Sequence, residues 1–167
     1  NTAIGSHALY SVTTTGTNVA VGANAAYSFR GNDSVWVGAN VGYNAAAAAS
    51  TVAVGYYAGR YLIGSNSVLV GKQAGYFATG SANTFVGASA GYGASAATTT
   101  GQNNTAMGAN ALKVFTSGYD NVVMGYNAVD AITTGYQNTI IGKSAGSGLT
   151  DGDLNVAIGL GALLVED

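Results

Sequence analysis

The chain contains no cysteine and no proline, and of its 167 residues only five are basic and seven acidic. Without cysteine, neither a disulfide framework nor a thiolate metal site is possible. The net charge is −2, and no basic cluster is present to follow a phosphate backbone, which argues against nucleic-acid binding. No apolar run reaches the roughly 18 residues of a membrane-spanning helix, so the sequence predicts no membrane insertion.

A short apolar sequence motif that ends in glycine recurs along the whole chain. Its closing glycines are separated by 17, 16, 17, 16, 16, 21, 17, 17 and 17 residues. These anchor glycines are Gly5, Gly22, Gly38, Gly55, Gly71, Gly87, Gly108, Gly125, Gly142 and Gly159. Such a period indicates ten copies of one structural unit, with a four-residue insertion in the sixth unit.

The residues before each anchor glycine have the pattern of a short strand. The position one before the anchor is always apolar, as at Ile4 and Val21. The position three before it is β-branched in every unit, as at Thr2 and Val19. β-branched and apolar residues at alternate positions in a short run are typical of a strand rather than a helix.

The second half of each unit carries a small residue three positions after the anchor and, in most units, a glycine-containing turn. A unit of about 17 residues with two short strands and two glycine corners is one coil of a β-solenoid. Coils that stack at about 4.8 Å would make a rod about 48 Å long. The insertion within residues 93–100 and the alanine run 45–49 are predicted to bulge from corners of this rod.

The sequence therefore predicts an all-β fold, a parallel β-solenoid of about ten coils. Residues 1–167 form a single solenoid domain in this interpretation, a segment of a longer fibre protein. An amide and hydroxyl ladder is expected four positions before the anchors, where it would satisfy backbone groups of neighbouring coils. Its asparagines are Asn1, Asn18, Asn83, Asn104, Asn121, Asn138 and Asn155.

The residue two before each anchor suggests more than one chain. It is apolar in every unit, although it points to the opposite face from its β-branched neighbours, and a strand that is apolar on both faces is buried on both. We expect the β-branched pair, such as Thr2 and Ile4, to fill the coil interior and the middle column to meet other chains of a homotrimer. The alternative is a wider monomeric coil. The middle column is Ala3, Ala20, Trp36, Ala53, Leu69, Phe85, Ala106, Val123, Ile140 and Ala157.

Tyrosine is the residue type with a possible binding role, since five tyrosines recur at one position of the unit. Exposed rings in a row could form a platform for sugar faces. The competing interpretation is a structural ladder in which the rings pack on each other along the rod. The five residues are Tyr10, Tyr27, Tyr43, Tyr76 and Tyr92.

The sequence offers no set of residues for catalysis, metal binding or a cofactor. The single histidine, His7, lies at a corner position that is mostly polar in the other units, and no Ser/His/Asp set can be assembled around it. The acidic residues, including Glu166 and Asp167, form no recurring pair. The run 151–155 begins like a calcium loop, but it lacks the glycine at position six and the glutamate at position twelve, and it is interpreted as a turn.

Two groups of proteins carry a similar repeat. The words Ser34-Val35-Trp36-Val37-Gly38 and Ser67-Val68-Leu69-Val70-Gly71 resemble the repeats of trimeric autotransporter adhesin heads of the YadA type. The longer form, Asn104-Thr105-Ala106-Met107-Gly108, is similar to phage tail-fibre repeats. The resemblance covers essentially all ten units, and it implies a left-handed parallel β-roll assembled as a trimer.

The favoured function is a structural and attachment fibre, a rigid trimeric shaft that contacts host surface glycans. Its expected partners are further copies of itself and a cell-surface polysaccharide or protein receptor. Its expected location is a virion tail fibre or the cell surface. A bacterial adhesin head that binds host matrix is the alternative, an ice-binding solenoid is a further one, and a carbohydrate-degrading spike is disfavoured because the acidic residues do not pair.

Overall fold

The computed structural model describes residues 1–13, 16–95 and 97–164. Over these residues the chain is an all-β parallel solenoid without a helix. Glu166 and Asp167, part of the turn 13–16 and one residue of the insertion 93–100 lie outside the described residues. The predicted parallel solenoid is confirmed.

Ten three-residue strands form one parallel sheet, and each strand pairs in register with the strand one coil away. The strands are β1 Thr2–Ile4, β2 Val19–Val21, β3 Val35–Val37, β4 Val52–Val54, β5 Val68–Val70, β6 Thr84–Val86, β7 Thr105–Met107, β9 Val122–Met124, β11 Thr139–Ile141 and β12 Val156–Ile158. Two further strands, β8 Val114–Phe115 and β10 Ala131–Ile132, pair in a small second sheet. Every strand of the ten-stranded sheet coincides with the apolar motif that precedes an anchor glycine.

The opposite wall of the rod differs from the prediction of two strands per coil. Among the described residues, a second strand is present only at β8 and β10, and the other coils have turns there. Residues with positive φ alternate along this wall, as at Asn24 and Ala26. Its amides still bond between coils, for example from Leu9 N to Ala25 O at 3.0 Å and from Asn24 N to Ser6 O at 2.8 Å. Short stacked turns therefore replace the second sheet.

The anchor glycines are required by backbone conformation and by the spacing of the coils. Gly108 has a φ of +131°, and a Cβ at this position would lie 2.6 Å from the carbonyl oxygen of Gly125 in the next coil. Because L-residues avoid this φ and the neighbouring backbone fills the space, only glycine fits. The invariance of the anchor along the sequence follows from this contact.

The middle residue of each strand points into the core of its own coil, and this corrects the predicted inter-chain face. Ala20, Trp36, Phe85 and Ile140 have no exposed surface within a single chain. A partner chain therefore cannot reach them. The buried members of this column are Ala20, Trp36, Ala53, Leu69, Phe85, Ala106, Val123, Ile140 and Ala157, while Ala3 lies in the exposed first coil.

The expectation that the β-branched pair fills the interior is also wrong, because these two side chains lie on the outer face of the strand. Val52 and Val54 flank a buried alanine and remain 40% and 37% exposed. The interior is a narrow space between two walls. In several coils a large inward side chain faces a small residue on the opposite wall, as Trp36 faces Gly42. Side chains on the outer face meet only their neighbours along the rod, where one shape repeats well.

Candidate attachment surfaces

The outer face of the ten-stranded sheet is a mostly apolar surface with two ranks of side chains. One rank holds the residues that begin each strand, such as Val68 and Val122, and the other holds those that end it, such as Val70 and Met107. Ten strands about 4.8 Å apart, with ranks about 7 Å apart, make a face about 48 Å long and about 10 Å wide. Its area of about 500 Å² is at the upper end of what monomeric proteins expose.

The asparagine ladder lies at the corner that leads into this sheet. The backbone N of Asn104 donates to Oδ1 of Asn83 at 2.9 Å, and the Asn104 side chain donates to the carbonyl of Gly118 at 2.9 Å. Asn104 in turn accepts from the backbone N of Asn121 at 3.1 Å. Ser34 and Ser67 take the same role with their hydroxyl oxygens. The side chains thus satisfy buried backbone groups of adjacent coils, which gives the ladder a structural role.

The recurring tyrosines form a stack along the rod. Tyr10, Tyr27 and Tyr43 lie with ring centroids 4.9 Å apart and planes within 9°, and Tyr76 stacks on Tyr92 in the same way. Neighbouring rings cover both faces of Tyr27. The stack therefore presents ring edges to solvent, and its inner rings lack the open faces that a sugar platform needs.

Arg60 occupies the tyrosine position in the fourth coil and continues the stack. Its guanidinium carbon lies 5.6 Å from the ring centre of Tyr43, 5.8 Å from that of Tyr76 and 4.6 Å from that of Tyr57. Nη1 also donates to the Tyr76 hydroxyl at 3.2 Å. Burial alone would lower the pKa of Arg60, but the interactions with Tyr76, Tyr61 and Tyr57 outweigh it and raise the pKa. The guanidinium is a charged member of an otherwise aromatic ladder.

The histidine lies at the exposed start of the rod. His7 Nδ1 is 3.0 Å from Ser6 Oγ, and the ring meets Tyr10 edge to face at 5.2 Å. Within the described ranges, no group of three or more His, Cys, Asp or Glu side chains could hold a metal ion. The described part of the chain also has no helix of the length and hydropathy needed to cross a membrane.

The structure reveals a surface cavity of about 370 Å³, open to solvent, that the sequence interpretation did not identify. Thr100, Gln102, Asn103, Ser117 and Tyr119 line it. Thr100 ends the inserted segment of the sixth unit, and the other residues come from the next corner and the coil that follows. The insertion was visible in the sequence as a break in the period, and it was the available signal for this cavity.

Tyr119 forms a second, shorter aromatic stack beside the cavity. Its ring lies 5.0 Å from that of Tyr136, with an angle of 2° between the planes. Asp153 follows Tyr136 in the next coil and accepts from the Tyr136 backbone N at 3.0 Å. The negative charge of Asp153 raises the pKa of Tyr136.

Comparison with known proteins yields no match among family models, curated proteins or solved structures.

Proposed function

We propose that the chain is the shaft of a homotrimeric attachment fibre, of the kind found in phage tail fibres, which contacts host surface glycans. The observation that carries this proposal is the apolar outer face of the ten-stranded sheet. Because this face runs the length of the rod, three parallel copies can pack it around one axis. About 500 Å² from each of three chains gives roughly 1,500 Å² of buried surface in the trimer, or about 500 Å² for each pair of chains, so the assembly depends on all three faces meeting at the axis.

The trimer in this proposal uses the opposite strand face from the one expected from the sequence. The trimer covers an apolar outer layer of each chain, and the covered residues are the β-branched ranks rather than the middle column. Such a fibre has no catalytic role and needs no cofactor. Its location is a virion tail fibre or the surface of a cell, and the adhesin head remains the alternative with the same shaft.

The test of the trimer is the mass of the protein in solution, measured by size-exclusion chromatography with light scattering. We expect three times the chain mass of 16.4 kDa. Val122→Glu, on the outer face of β9, should dissociate the trimer because it buries carboxylates near the axis without partners. The matched control is Val114→Glu, on β8 of the second sheet, since Val114 and Val122 are 37% and 36% exposed.

Two results would contradict the proposal: a monomeric wild-type chain, or dissociation by the Val114→Glu control to the same extent as by Val122→Glu. Circular dichroism of each variant separates loss of assembly from loss of the fold.

A second candidate, an ice-binding solenoid, is favoured by one observation. Thr84, Thr105 and Thr139 lie on the outer face in register with the valines of that rank, so hydroxyl and methyl groups repeat at the spacing of the coils. This function needs the face to be free. It therefore predicts a monomer that produces thermal hysteresis, whereas the fibre predicts a trimer that produces none.

A further inference from the structure

The cavity beside Tyr119 combines an aromatic ring face with polar side chains. The ring of Tyr136, in the next coil along the rod, covers one face of the Tyr119 ring. The preceding coil places Gln102 at the position that Tyr119 and Tyr136 occupy in their coils, six residues before the anchor glycine. The uncovered face of Tyr119 therefore points toward Gln102 and into the cavity that both residues line. The inner rings of the long tyrosine stack lack such a face.

The polar lining offers donors and acceptors with few internal partners. Asn103 donates from Nδ2 to Oδ1 of Asp120 at 3.0 Å, which fixes its amide plane and leaves its oxygen as an acceptor. In the part of the chain that the structure describes, the side chains of Thr100, Gln102 and Ser117 make no hydrogen bond. Two amides and two hydroxyls around one open aromatic face are suited to a ligand with many hydroxyl groups and one apolar face.

The backbone around the cavity is held in place. Thr100 N donates to the carbonyl of Thr116 at 2.7 Å, and Asp120 N donates to the carbonyl of Gln102 at 3.1 Å. Thr99, immediately before the cavity, is fully buried. The inserted segment is therefore anchored at its end, and hydrogen bonds hold the backbone that carries the lining residues.

We propose that this cavity is a binding site for an uncharged saccharide of one or two rings. The C–H groups of a sugar ring would pack on the electron-rich face of Tyr119, while the amides and hydroxyls bind its hydroxyl groups. None of the five lining side chains is charged, and the neighbouring Asp120 disfavours an acidic sugar. The volume lies near the lower end of the roughly 300–1,000 Å³ of ligand sites, which suits a ligand of one or two rings.

The inference rests on the proposed attachment function and deepens it, since it identifies where the shaft would contact a glycan. Because the cavity lies within one chain, sugar binding does not require the trimer. The probes are glucose, galactose, N-acetylglucosamine and lactose, with sialic acid and glucuronic acid as charged counterparts. Binding to the full chain is measured by saturation-transfer NMR and by titration calorimetry. We expect at least one neutral sugar to bind and both acidic sugars to bind at least tenfold more weakly.

Variants locate the site. Tyr119→Ala should weaken binding at least tenfold, whereas Tyr119→Phe should retain it because the ring face remains. Tyr126→Ala is the matched control, since Tyr126 is also exposed but does not line the cavity. If Tyr119→Ala does not fold, Gln102→Ala, at an exposed position, should weaken binding while the fold is kept.

Several results would overturn the site: no neutral sugar binds, an acidic sugar binds best, or Tyr126→Ala weakens binding as much as Tyr119→Ala. Failure of the fibre proposal and failure of the sugar site give different results. A monomer that binds sugar would contradict the trimeric fibre but support this site. A trimer that binds no sugar would contradict this site but support the shaft.

Discussion

In several coils a large side chain on one wall faces a small residue on the other. The middle residue of the strand is paired with the residue six positions later. Trp36 is paired with Gly42, and a Cβ on Gly42 would strike the indole ring. Gly91 stands in the same relation to Phe85. Where the strand residue is alanine, the later position holds a larger residue in several coils, as at Leu112 after Ala106. A constant interior width imposes this relation, because protein cores tolerate neither voids nor overlap.

The pair Leu69 and Gly75 allows a direct test of this matching. A Cβ on Gly75 would lie 2.7 Å from Leu69 Cδ2, in a core where Leu69 is fully buried. Gly75→Ala should cost about 2–4 kcal/mol, from the left-handed φ of +58° and from overpacking. Leu69→Ala should cost about 2–5 kcal/mol. The double variant should cost about 1 kcal/mol less than their sum, because the added methyl group partly fills the cavity.

Urea unfolding at fixed protein concentration measures these free energies. The matched control is Gly161→Ala, since Gly161 has a φ of +61° but no heavy atom within 4 Å of a Cβ. It isolates the backbone cost, about 1–2 kcal/mol. Strict additivity of the Leu69 and Gly75 changes would show that the two walls do not contact as described.

At the scale of elements, the sequence period determines which residues form strands and which glycines form corners. The β-branched residues at alternate positions gave the correct strand positions, such as Val19–Val21. They did not determine which face is inside, because both faces are apolar. The signal for the inner face was the pairing of a large residue with a small one six positions later, such as Trp36 with Gly42. A comparison of one repeat position at a time does not reveal this pairing. Thr100 of the Tyr119 cavity belongs to an insertion that has no counterpart in other coils, and the break in the period marks this insertion without predicting a cavity beside it.

The asparagine ladder is the element that connects the corners, and Asn104 is central to it. Asn104→Ala removes the side-chain donor to the Gly118 carbonyl and the side-chain acceptor for the backbone N–H of Asn121. Both hydrogen bonds are buried. Two buried backbone groups without partners should cost about 2–4 kcal/mol. Asn104→Ser should cost less, because Ser67 already accepts from the backbone of the next coil at 3.2 Å.

The midpoint of thermal unfolding, followed by circular dichroism, measures this effect. Asn32→Ala is the control, since the exposed Asn32 side chain bonds to Asp33 next to it. Equal loss of stability in Asn104→Ala and Asn32→Ala would mean that the ladder contributes no more than a surface amide.

At the scale of the whole molecule, the rod is a stack in which each coil contacts its neighbours. In the main sheet each strand pairs with the strand one coil away, so stability should be close to a sum over coils and their interfaces. A complete coil can then be removed without altering the others. The 17 residues from 122 to 138 form such a unit, because their removal joins Asn121 to Thr139 and reproduces the native sequence Asn138-Thr139.

Deletion of 122–138 should leave a folded solenoid that is shorter by one coil. At about 0.05–0.15 kcal/mol per residue, the free energy of unfolding should fall by about 1–3 kcal/mol. Deletion of 122–129 is the control, since it removes about half a coil and shifts every later wall residue out of its register. The circular dichroism spectrum and urea unfolding report both outcomes. In a stack of equivalent coils, removal of a whole coil preserves the register of the later coils, whereas removal of half a coil does not. If the two deletions destabilise the chain equally, the rod is therefore a single cooperative core rather than such a stack.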